Sequence, residues 1–160
     1  MKYLKLASLL ATSHIIVAGL AFSLGIYSLP IIMAPADPSS ATLALSIKNT
    51  RYVATIANVL TDSDWLHWGK GTFSVGDDYI VFQGKLAPGP AYRLYLSPRF
   101  IETERDFIQF RSSMVEVGEI KSFSNYVLPV SNQIKLEKYN SVIIWCETFN
   151  QFITAAQFKQ

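Results

Sequence analysis

Residues 6–36 contain no charged side chain, an unbroken run of 31. About 20 apolar residues in a helix already cross the hydrocarbon core of a bilayer. The run therefore predicts one transmembrane helix. Lys2 and Lys5 precede it, and the next basic residue is Lys48. Basic residues stay on the cytoplasmic side of a span. That places the N-terminus in the cytoplasm and the remainder across the membrane, periplasmic or at the cell surface. The competing reading is a cleaved signal peptide, with Ala34, Pro35 and Ala36 as a small-x-small site. Secretory apolar regions are only about 7–15 residues long, and a proline inside the cleavage triplet is unfavourable. An uncleaved signal anchor is the expectation. Gly19, Gly25 and Pro30 are tolerated in membrane helices, and Gly19, Ser23 and Gly25 offer a partner helix close approach. His14, alone in the span, is read as incidental.

Bulk properties exclude classes without naming a function. Half of the 160 residues are hydrophobic and the net charge is +2, so the chain is not disordered. One cysteine cannot close an intrachain bridge. With 14 basic against 12 acidic residues there is no phosphate-seeking field, and no nucleic-acid partner is expected. The positive mean hydropathy averages two unlike pieces, the charge-free run and a nearly neutral remainder.

Residues 35–42 (PADPSSAT) read as a tether. Between residues 52 and 60 the apolar positions Tyr52, Val53, Ile56, Val59 and Leu60 follow helical spacing, predicting a short amphipathic helix that packs on the domain. From Trp65 onward the period changes to two. Phe73 and Val75, the run 79–82, Tyr92/Leu94/Leu96, Val115/Val117, Tyr126/Leu128/Val130, residues 142–146 and residues 152–158 read as strands separated by turn signals. A helical turn is expected within residues 101–110. The predicted fold is mainly β, an antiparallel β-sandwich or barrel-like domain preceded by a transmembrane helix and a short helix. The expected organisation is 1–36 cytoplasmic tip and anchor, 37–64 linker and short helix, 65–160 β domain.

The inventory of reactive side chains is thin. Beyond the span there is one histidine, His67, and one cysteine, Cys146. That is too few for a blue-copper or a structural zinc site, so no metal site is expected. C-x-x-C-H for haem, a G-x-S-x-G elbow and a Gly-rich phosphate loop are all missing. No cofactor is identifiable, unless a redox cofactor is shared with a partner. The carboxylates Asp77/Asp78 and Glu102/Glu104/Asp106 read as surface charge. In strand 141–148, Val142, Ile144 and Cys146 share one face, and Ile143, Trp145 and Glu147 the other. The default for Cys146 is a silent core thiol. The functional alternative is a redox-active or ligand-contacting thiol, although the sequence places no cation or helix N-terminus beside it. Trp68, Trp145, Tyr92 and Tyr95 are candidate binding aromatics, with core packing as their default role.

The stretch SVIIWCETF (residues 141–149), with YVLP (126–129) before it and FITAAQF (152–158) after it, resembles the electron transfer DM-thirteen domain family, known from Skeletor- and Knickkopf-type proteins and small bacterial membrane-anchored relatives. GKGTF (69–73), GPAYRLYLS (89–97) and VGEIKSF (117–123) fit the same pattern. The resemblance covers residues 65–158 and implies a redox role for Cys146. One departure is Ala91, where the family pattern carries an acidic residue more often. With one thiol, the chain supplies only half of a disulfide exchange. Two readings stay open. The first is a membrane-anchored redox accessory with Cys146 as its centre and a redox or membrane-protein partner. The second is a non-catalytic β-sandwich module that binds a ligand or protein, with Cys146 in the core. Neither makes the chain an evident enzyme.

Overall fold

A computed structural model describes residues 2–160. Helix α1 (Lys2–Met33) has 32 residues and is long and apolar enough to cross a membrane. At 1.5 Å per residue it is about 48 Å long, against about 30 Å of bilayer hydrocarbon. Residues 2–25 are exposed throughout, and half-burial begins at Ile26 and recurs at Ser28 and Pro30. The connection that follows is pinned. The Asp37 carboxylate accepts hydrogen bonds from the Ser124 hydroxyl and, at 3.1 Å, from Asn125 Nδ2. Helix α2 (Ser40–Ser46) starts where Ser39 Oγ accepts the Thr42 N–H at 3.1 Å, so part of the expected tether is helical.

The short helix expected over residues 52–60 is not there. Residues Thr50–Thr55 form strand β1, and Ile56 continues the chain along β2 through a bond to Gly71 O. Thr50, Tyr52 and Ala54 turn inward while Arg51, Val53 and Thr55 face out, which is period two. The helical spacing was coincidental, because Val53 and Val59, counted in the stripe, are both exposed. The β-branched and aromatic content of residues 50–56 suits a pleated surface, and the pairing with β2 decided it.

The first sheet has the order β1-β2-β3-β6, with β2 (Gly69–Gly76), β3 (Tyr79–Leu86) and β6 (Tyr126–Pro129). The second has the order β5-β4-β7-β8, with β4 (Tyr92–Ser97), β5 (Val115–Ile120), β7 (Ser141–Cys146) and β8 (Gln151–Gln157). All pairings are antiparallel. Strand β8 packs on β1 and β2, and β5 on β6, so the sandwich closes toward a barrel at both edges. In the first sheet Phe73, Phe82 and Tyr126 form a ladder with ring centroids 4.8 and 5.1 Å apart. The Phe82 ring lies over the paired glycines Gly71 and Gly84. A Cβ on Gly84 would sit 2.1 Å from the Lys70 carbonyl oxygen, and Gly71 has φ +149°. Any side chain there would push β2 and β3 apart.

All six residues of β7 are buried. Val142, Ile144 and Cys146 pair with Leu96, Leu94 and Tyr92 of β4 toward the other sheet. The opposite face is covered by helix α3 (Glu104–Phe110), within the stretch expected to hold a helical turn. Its one buried residue, Phe107, stacks on Trp145 at 4.0 Å and 9° and meets Tyr95 edge-on at 5.1 Å. Thr103 Oγ1 accepts the Asp106 N–H, and Asp62 Oδ2 accepts the Glu104 N–H at 2.7 Å. Glu104 and Asp106, read as surface charge, also lie in the first turn, where carboxylates favour a helix dipole.

Candidate functional site

The site is built around the end of β7. Cys146 lies opposite Tyr92 in the β4–β7 register, and its thiol donates to the Pro90 carbonyl oxygen at 3.0 Å. Pro90 belongs to the Pro88-Gly89-Pro90 break that leads into β4. A Cβ on Gly89 would meet the Tyr92 hydroxyl at 2.4 Å, so glycine lets this loop lie against the ring. Ala91 follows with φ 51°, a left-handed conformation that alanine adopts at a cost. Asp and Asn tolerate that region better.

Cys146, Tyr92 and Pro90 line a cavity of about 170 Å³. Phe149 of the β7–β8 connection and Gln151 at the start of β8 form one side, and Leu66 and His67 another. Ser23, Ile26 and Tyr27 of α1 close it, so α1 is part of the site. His67 is held by a tight turn. The Asp64 carboxylate accepts the Leu66 and His67 N–H groups at 2.7 Å each and contacts His67 Nδ1 at 3.0 Å. Burial pushes the Asp64 carboxyl up, but the bonds from the His67 ring and the two amides outweigh it and hold it below the ordinary value. With Nδ1–H given to Asp64, a neutral His67 ring leaves Nε2 as an acceptor.

Cys146 is 2% exposed. Burial pushes its thiol above the ordinary value; the Phe149 and Thr148 N–H groups oppose this, and the Glu147 charge adds to it. At neutral pH the sulfur is a protonated donor. Burial likewise pushes the Tyr92 hydroxyl well up, with Cys146 and Tyr27 adding to the effect.

The structure brings only two of the five sequence-derived site residues together, Cys146 and Tyr92. Trp145 follows the alternation to the outer face of β7, where it is enclosed beneath Phe107, its Nε1 without a hydrogen-bond partner. Tyr95 also faces outward and donates to Glu147 Oε1 at 2.5 Å while accepting from Arg111 at 2.9 Å. Arg111 in turn grips Glu147 at 2.7 Å. Burial raises the Glu147 carboxyl, but Tyr95 and Arg111 hold it below its usual range. Trp68 is half-buried beside two shallower hollows. The aromatic cleft of Trp68, Tyr92 and Tyr95 is therefore not formed, because residues three apart on one strand point to opposite faces. The α1 residues, Phe149 and Gln151 were missed from sequence; the Pro-Gly-Pro break was the one local signal of a special loop.

Residues 61–158 match the family model described as Electron transfer DM13. No curated protein and no solved structure matches the chain.

Proposed function

The chain belongs to the Electron transfer DM13 family, and from that premise we propose that it is a membrane-anchored redox accessory whose reactive centre is Cys146. Helix α1 is the anchor, the N-terminus is cytoplasmic, and the β domain, residues 65–160 with β1 added, works on the opposite side. One observation carries the reading: the sulfur, although 2% exposed, faces a cavity of about 170 Å³ instead of being sealed in packed core. With one thiol in the chain, the exchange is with a disulfide of a partner protein or small molecule. The Cys146 proton passes to the His67 imidazole in the same cavity. The sulfur then bonds to one sulfur of the incoming disulfide, and the other leaves as a thiolate that takes up a proton. Cys146 is oxidised and the departing sulfur reduced. The Thr148 and Phe149 amides steady the thiolate before attack.

A second reading, a ligand- or protein-binding module with Cys146 as a core residue, is favoured by the bond to Pro90 O and the raised thiol. One experiment separates the two. The full chain in mild detergent is treated with iodoacetamide, native and denatured. The redox reading expects slow labelling of native Cys146 that accelerates with pH and slows in His67→Gln. Protection until denaturation favours the binding module. Protease added to intact cells tests the side: the β domain is expected to be cleaved from outside.

A further inference from the structure

The turn that holds His67 also projects apolar side chains with nothing to pack on. Trp65 is 82% exposed and Leu66 42%, held at the tip by the Asp64 bonds. Phe149, at the neighbouring β7–β8 connection, is 55% exposed. Leu66 and Phe149 share the Cys146 cavity with Ser23, Ile26 and Tyr27 of α1, so this apolar rim lies beside that stretch of the helix. An independent measure gives the level of the membrane there. About 20 helical residues span the hydrocarbon, so a span starting at Leu6 ends near Gly25. The α1 residues are exposed up to Gly25, Ser23 alone among them lining the cavity, and half-burial begins at Ile26.

We propose that Trp65, Leu66 and Phe149 are a membrane-contact surface that seats the domain on the bilayer, with the mouth of the Cys146 cavity at the lipid headgroups. Aromatic side chains favour that interface, where an apolar ring body and a polar edge are both accommodated. The Leu66 and His67 N–H groups and His67 Nδ1 are already bonded to Asp64, which lowers the cost of bringing the tip into the interface. The surface rests on the membrane-spanning reading of α1. Its consequence is that whatever reaches Cys146 arrives along the membrane surface.

The test uses the full chain in phosphatidylcholine vesicles, carrying Trp68→Phe so that Trp65 is the accessible indole, Trp145 being enclosed. Emission is compared with and without phosphatidylcholine brominated near the top of its acyl chains. The expected result is marked quenching that Trp65→Phe abolishes and Phe149→Ser weakens, with the chain retained on alkaline carbonate washing. A retained chain with unquenched Trp65 overturns the surface and leaves the anchor standing. Release by carbonate overturns both. An unquenched Trp65 whose emission shifts with protein density identifies a second copy of the chain as the occupant and also overturns the proposal.

Discussion

Phe107→Ala tests the clamp that holds the site strand in place. Phe107 is the one buried residue of a seven-residue helix, and its ring is wholly enclosed against Trp145 and Tyr95. Truncating a buried Phe to Ala costs about 3–5 kcal/mol, and the stacked pair contributes about 0.5–1.5 kcal/mol of that character beyond area. Against this, the Trp145 Nε1–H has no partner among the described residues, and opening the face to water returns about 1–3 kcal/mol of its desolvation cost. The expected net loss is about 3 kcal/mol. For a domain near 100 residues that lowers Tm by about 12–24 °C. The assay is urea unfolding of the full chain in detergent, followed by indole emission with Trp65 and Trp68 replaced by Phe so that Trp145 reports. Its emission moves to the red in the folded variant, and Cys146, next along β7, alkylates faster. A cycle with Trp145→Ala, followed by circular dichroism because that variant lacks the reporting indole, returns a coupling of about 0.5–1.5 kcal/mol. A loss under about 1 kcal/mol with unchanged emission refutes the clamp.

Other substitutions probe separate links. Cys146→Ser keeps a donor for Pro90 O but places a hydroxyl at a 2% exposed position, and thermal unfolding is expected to show a loss of about 1–2 kcal/mol. Ala91→Gly relieves the left-handed φ of 51° at an exposed site and is expected to raise stability by about 0.5–1 kcal/mol, after the entropy glycine loses on folding; an unchanged Tm refutes the strain. The Asp64 carboxyl lies below its unfolded value of 3.8, so its contribution is complete above that value and is lost as pH falls through the folded one. Wild type and Asp64→Asn are expected to differ in Tm near neutrality and to converge in strong acid.

Much of the fold was legible because two periods dominate. Phe73/Val75 and Tyr92/Leu94/Leu96 alternate as strands do, residues 142–146 form the unbroken apolar run of a strand covered on both faces, and each lies in a strand. Residues 52–60 misled because a nine-residue window holds too few apolar positions to separate the periods once β1 contributes Tyr52 and Val53 and the following loop Val59. Alternation also put Trp145 and Cys146 on opposite faces, but not what covers each: Phe107 comes from about 40 residues away in sequence. The cavity was illegible for the same reason, being assembled from α1, the Asp64 turn, the Pro-Gly-Pro loop and the end of β7.

By itself the sequence determined the charge-free helix, the two-sheet class and the family, because apolar run length, period and local motif are properties of neighbouring residues. Only the tertiary structure decided that Cys146 is enclosed yet faces a cavity, that α1 closes that cavity, and that Tyr92 joins the site while Trp145, Tyr95 and Trp68 do not. Those outcomes depend on strand register and on contacts between residues far apart in the chain, and burial of a group is set by all of its neighbours at once.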